Sequence, residues 1–207
     1  AARLARAVLS DHYTANRCTT AIAAQRQGPA DHNQTPTQGS KSMPKARFTV
    51  SDVAAMAREV RERCGDWRVN QIYDGDARTF VLKLQQSGIP EKRLLLLESG
   101  TKFLVTKFDA REDPTAMPSP LCSKLRSSLK GKRLTDVKAL GRDRVVALRF
   151  GAGPGTCNLF LELYAAGNVV LADSTYTVVA ALRTDSLKVG ESYNVAVRAV
   201  APPTDLL

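Results

Sequence analysis

The sequence predicts an α+β fold of antiparallel sheets in a sandwich-like arrangement with flanking helices, and three observations predict it. Two segments carry a helical period; short apolar runs bounded by turn residues read as strands; and these runs fall into a block of four and a block of five, each preceded by one helix. Such segregated order belongs to α+β folds, whereas a parallel sheet requires strict alternation of strand and helix.

Residues 1–42 are rich in Ala, Thr, Gln, Arg and Ser, poor in aromatics and without a sustained period, so they read as a disordered tail or leader. Their basic, acid-poor composition is similar to that of an organellar transit peptide, but Met43 opens a new pattern, and a misread leader is the simpler expectation. The folded domain is expected over 43–185. It begins with "SDVAAMAREVRERCG", where Ser51 is expected as N-cap, Asp52 sits in the first turn at the positive end of the helix dipole, and Val53, Met56, Val60 and Cys64 recur at helical spacing up to Gly65. Strand-like runs follow at 68–74, 79–86, 93–99 and 102–108, with short turn-rich connections that predict an antiparallel meander. The stretch 118–134 reads as a basic amphipathic helix, with Leu121, Leu125 and Leu129 on one face and Lys124, Arg126, Lys130, Lys132 and Arg133 exposed. The second strand block comprises "LTDVKAL", "RVVALRF", "CNLFLELY", "NVVLAD" and "TVVAALR", separated by "FGAGPGTCN" and "AAGN". Residues 186–207 lose the pattern at Pro202 and Pro203 and are expected to start a further, truncated segment.

Composition narrows the function classes. A chain of 207 residues is large enough to bury a core, and no apolar run approaches the eighteen or so residues that span a bilayer, so no membrane is expected. Lys and Arg number 30 against 20 Asp and Glu, a net charge of +10 that favours a polyanionic partner, most often nucleic acid. Cys18, Cys64, Cys122 and Cys157 stand far apart with no histidine near them, which argues against zinc and against a disulfide framework; reduced thiols in the cytoplasm are expected, and no cofactor. His12 and His32, the two histidines, both lie in the tail, so the domain has no histidine for acid/base work or a hydrolytic triad. The carboxylates Asp52, Glu98, Asp143, Glu162 and Asp173 have no metal-ligand spacing. A binding module, not an enzyme, is the expectation.

Asp143 and Arg144, after a glycine at the mouth of "VVAL", are the informative charges. If both are in the strand they face opposite sides of it. Either Asp143 accepts turn amides while Arg144 guards an edge, or the pair sits at a rim where Arg144 takes a phosphate through its planar fork and Asp143 holds it. "FGAGPG" fits neither a Walker A nor a dinucleotide motif and is read as a turn, although its amides could cradle phosphate. "KLRSSLKGKR" is either a solvated helix face or a set of RNA backbone contacts, and Trp67 is read as packing unless it is exposed to stack a base.

Taken in order, "RFTVSDVAAMAREV", "WRVNQIYD", "TFVLKL", "LLLLESG", "PSPLCSKLRSSLKGKRLTDVKALGRDRVVALRFG" and "LFLELYAAGNVVLAD" resemble the N-terminal domain of the NFACT family, in the group of the eukaryotic nuclear export mediator factor, from Met43 to about Arg183. The resemblance implies ribosome-associated quality control: binding of large ribosomal subunits that carry an obstructed chain on peptidyl-tRNA, recruitment of charged tRNA, template-free C-terminal tailing, and, in the full-length protein, recruitment of an E3 ubiquitin ligase. It also implies a fold similar to the N-terminal domain of formamidopyrimidine-DNA glycosylases. Within the family the Asp-Arg dipeptide matching Asp143 and Arg144, and the first-helix aspartate matching Asp52, serve tRNA handling, while peptide-bond formation is left to ribosomal RNA. Where relatives often carry His-Thr-Thr after "ESG", this chain has "FLVTKF", with Leu104 in place of the histidine. Two rival readings stand beside it. A glycosylase-like enzyme is disfavoured because Pro44 is followed by Lys45 rather than glutamate, and an adhesion or scaffold module by the cysteine usage and missing secretion signal.

Overall fold

The computed structural model describes residues 47–108, 117–185 and 187–198. The 1–42 tail, Cys18, both histidines, Met43 and Pro44 lie outside those residues. Helix α1, Val50–Cys64, is capped by Thr49 rather than by the expected Ser51. A capping box explains the shift. Thr49 Oγ1 accepts from Asp52 N at 3.3 Å and donates to Asp52 Oδ2 at 2.8 Å, while Thr49 N donates to the same carboxylate oxygen at 2.9 Å. Val53, Ala57, Val60 and Cys64 form the buried stripe, and Gly65 closes the helix through its N–H to Arg61 O.

Four strands follow as a meander, β1 Arg68–Asp74, β2 Thr79–Gln86, β3 Ile89–Glu98 and β4 Lys102–Thr106, paired in that order. β3 starts earlier than the sequence pattern indicates because Gln86 pairs with Ile89 across a tight turn. Helix α2, Pro120–Leu129, is capped by Ser119, whose backbone N and Oγ both donate to Asp74. It ends short of the predicted 134. The Leu121, Leu125, Leu129 stripe has no further member in phase, Gly131 takes φ +80, and the next residues leave the helix to pair with β1.

The second sheet is also a meander: β5 Leu134–Ala139, β6 Val145–Phe150, β7 Cys157–Glu162, β8 Asn168–Ala172 and β9 Val178–Ala181. "FGAGPG" forms a turn, with one 3-10 turn at Gly153–Gly155. The strand alternation of this sheet feeds two cores. Leu148, Phe150, Leu159 and Leu161 meet Phe80, Leu95, Leu97 and Phe103 of the first sheet, together with Val60 of α1 and Leu125 of α2. Each such fully buried side chain contributes about 1.5–3 kcal/mol. On the opposite face Val145, Phe160, Val170 and Val178 are covered by Tyr193, which precedes the short helix α3, Val195–Arg198. All five residues of β8 are therefore buried, as a strand with two covered faces requires.

The two sheets are stitched at two corners. At one, the start of β1 pairs with the start of β5: Leu134 N donates to Trp67 O at 2.9 Å and Val69 N to Lys132 O at 2.9 Å. At the other, the β3–β4 turn lies on the β7–β8 turn, and Gly100 N donates to Glu162 O at 3.0 Å.

Candidate nucleic-acid interface

The predicted site residues sort between these corners. Asp143 and Arg144 are not in a strand: β6 begins at Val145, and both occupy the turn that Leu140 N closes onto Val145 O at 2.9 Å. The expected alternation across the sheet therefore does not apply. Asp143 is exposed and Arg144 half-buried. Three backbone hydrogen bonds carry the connection from this turn to α1. Leu163 N donates to Arg144 O at 2.7 Å, Gly100 N to Glu162 O at 3.0 Å, and Phe48 N to Thr101 O at 3.0 Å, which anchors the residue before Thr49. The Phe48 ring packs against Phe103 with centroids 5.9 Å apart. The turn holding Asp143 and Arg144 is thus joined, through the β7–β8 and β3–β4 turns, to the segment that leads into α1 and Asp52.

Gly167 makes the close approach of these two turns possible. It has φ +71, and a methyl there would collide with Gly100 N and come within 2.5 Å of Gly100 Cα and Ser99 Oγ. Asp52, half-buried, spends Oδ2 on the capping box and also lines a shallow groove of about 250 Å³ with Phe48, Ala55, Met56 and Glu59. A Thr49→Ala variant is expected to lose about 1 kcal/mol in a urea melt, since it removes the cap side chain. An unchanged midpoint would show that the box does not hold the helix start.

The five basic residues assigned to one exposed helix face do not form one. Lys124 is exposed on α2 and Lys130 is its C-cap, whereas Lys132 and Arg133 lie beyond the helix at the β1–β5 corner. Arg126 is half-buried, donates Nε to Ile72 O at 2.6 Å and places its guanidinium 5.8 Å from the Tyr73 ring centre. Lys132 Nζ donates to Gly155 O at 2.6 Å and lies 2.9 Å from Cys157 Sγ. The expected exposure therefore fails for Arg126 and Lys132, because backbone carbonyls at a sheet edge and in a glycine turn capture their donors. Trp67 is 3% exposed with the Arg93 guanidinium 4.0 Å from its ring centre, so it offers no face to a base.

Cys64, Cys122 and Cys157 are free thiols. Burial pushes Cys64 up to about 11; burial, then the neighbouring Asp74, pushes Cys122 up to about 12, so both stay protonated and inert near neutral pH. Among the described residues no group of three His, Cys, Asp or Glu is placed to hold a metal ion, and no helix is long and apolar enough to cross a membrane.

The family model "NFACT N-terminal and middle domains" matches residues 49–202. The chain belongs to the NFACT family. That span takes in both corners and Tyr193, beyond the Arg183 at which the sequence resemblance fades. This NFACT chain is 40% identical over 158 residues to the ribosome quality control complex subunit NEMF homolog of Drosophila melanogaster, covering 76% of the chain and 15% of that protein. It is 38% identical over 139 residues to ribosome quality control complex subunit NEMF of Homo sapiens, covering 67% of the chain and 12% of that protein. The NFACT chain thus spans about 15% or less of the length of these relatives. Among solved structures, the N-terminal part of the fibronectin/fibrinogen-binding protein of Streptococcus suis superposes with a TM-score of 0.59 at 20% identity, covering 67% of this chain and 57% of that one. The N-terminal domain of fibronectin-binding protein PavA of Streptococcus pneumoniae gives 0.58 at 21%, covering 73% and 60%. These structures share the α+β sandwich with the NFACT chain.

Proposed function

We propose that this chain is the tRNA-facing module of a ribosome quality control factor, acting in the cytoplasm on large ribosomal subunits that retain peptidyl-tRNA. The observation that supports the reading is the backbone relay Leu163–Arg144, Gly100–Glu162 and Phe48–Thr101, which ties the turn of Asp143 and Arg144 to the segment that leads into α1 and Asp52. The subunit names of the relatives support the pathway. In this reading Arg144 offers its planar fork to a tRNA phosphate or base edge and Asp143 orients it, while Asp52 fixes the height of α1 beside them. Exposed Lys124, Lys130 and Arg133 supply phosphate contacts that strengthen binding without reading sequence. The rim positions tRNA, tailing chemistry is left to ribosomal RNA, and ubiquitin-ligase recruitment belongs to the full-length protein.

The test is tRNA binding by the chain at two salt concentrations, beside an Asp143→Ala/Arg144→Ala variant. Loss of a charge-assisted contact costs about 1.5–3 kcal/mol, so affinity should fall about tenfold to a hundredfold with the melt unchanged. Equal affinity in a folded variant would remove the rim from tRNA recognition.

A further inference from the structure

The β1–β5 corner holds a second feature, at the far end of the five-stranded sheet from Asp143 and Arg144. A cavity of about 360 Å³ is lined by Arg68, Lys132 and Arg133, by Thr135, and by the backbone of Gly131, Gly151, Ala152 and Gly155. Its walls carry three cations and no carboxylate. Arg68 and Arg133 face each other across the bridge that joins the sheets, and Arg68 Nη1 is steadied by Gly131 O at 2.9 Å. Lys132 is held by Gly155 O and Cys157 Sγ, two contacts for an ammonium with three donors. Gly151 requires its glycine for φ +79, and an added methyl would already touch the Lys132 chain at 3.5 Å. The Thr135 hydroxyl donates to Arg149 O and Gly151 O, and the Gly131 and Gly151 amides to Val69 O and Arg133 O, so it is the cations, steadied by backbone carbonyls between walls of small residues, that suit a phosphate through charge-assisted hydrogen bonds.

We propose that this corner seats a phosphate of an RNA backbone. The inference rests on the reading of the chain as an RNA-binding module, and it makes the grip two-point. The six-residue strands β5 and β6 run from one corner to the other, a span of about 20 Å at 3.3 Å per residue. One RNA can therefore be anchored without sequence preference at the cavity and read at the rim.

The experiment follows the backbone amide resonances of Gly131, Gly151 and Ala152 in the full chain during titration with tRNA, with an unrelated RNA hairpin and with inorganic pyrophosphate. Affinities are measured in parallel for the wild type, Arg68→Gln/Arg133→Gln, and Arg133→Gln alone, which leaves the Arg68 tether to Gly131 in place. Expected are shifts with both RNAs, an affinity loss of about tenfold for both RNAs in the double variant, and a salt slope shallower by about 1. The single variant should fall between. Shifts with pyrophosphate under conditions where neither RNA moves these amides would overturn the proposal in favour of a small free phosphate compound, and amides that no ligand moves would overturn the site altogether. Undiminished RNA affinity and slope in the cavity variants, with tRNA binding lost in Asp143→Ala/Arg144→Ala, would sink the cavity and leave the rim standing. The reverse pattern would sink the rim and leave the cavity.

Discussion

Gly167→Ala is expected to destabilise the domain by about 2–6 kcal/mol. Two costs add. An alanine forced to φ +71 carries left-handed strain of about 1–3 kcal/mol, and its methyl meets Gly100 N, Gly100 Cα and Ser99 Oγ, an overpacking of about 1–3 kcal/mol against backbone that has no rotamer to yield. The neighbour is no softer, because Gly100 itself sits at φ +78 with Ala166 backbone 3.1 Å from where its own Cβ would be. If the chain relieves the collision by opening the corner, Gly100 N loses Glu162 O, and the link between α1 and the Arg144 turn goes with it. The urea midpoint should fall steeply, and tRNA affinity should fall even in the fraction that remains folded. A variant with the wild-type midpoint would mean that the two turns separate at no cost and do not define the rim.

Tyr193→Ala should cost about 3–5 kcal/mol, the range for removing a large buried aromatic. Tyr193 is 3% exposed, stacks on Phe160 with ring centroids 4.0 Å apart, and donates its hydroxyl to Glu162 Oε1 at 2.9 Å. Its removal uncovers Val145, Phe160, Val170 and Val178 together. Tyr193→Phe separates the contributions: the stack remains, Glu162 loses one donor, and about 1–3 kcal/mol is expected. Equal melts for Tyr193→Ala and the wild type would show that residues 187–196 lie on the sheet without holding it.

These two sites mark what the sequence could not reveal. The strand blocks were legible because apolar runs and turn residues are local signals, and β1 and β2 fall where the pattern puts them. Asp52 was legible as a helix-start residue, but Thr49 lay just outside the quoted helix, and only its reciprocal bonds with Asp52 make it the cap. Arg68 carried no signal, because its role depends on a strand pairing between residues 68 and 133 that no local period encodes. Arg126 and Lys132 looked solvent-facing because a charge on a helix face usually is; which edge carbonyls stand open to capture them is decided by the sheet. Tyr193 was assigned to a fading segment because one aromatic among polar residues has no periodicity, although it closes a core.

The meander order of both sheets has a kinetic consequence. Every strand pairs with its neighbour in sequence, so each sheet can form hairpin by hairpin from short loops, and the contact order within each is low. The α1–β5 packing and the two corners join partners far apart in the chain, and their loop-closure entropy is met only when the halves dock. Rim and cavity both lie on those joints. A nascent chain that has completed its first sheet therefore has neither, and under the proposed function RNA recognition is expected to arise late in folding, when the two sheets dock.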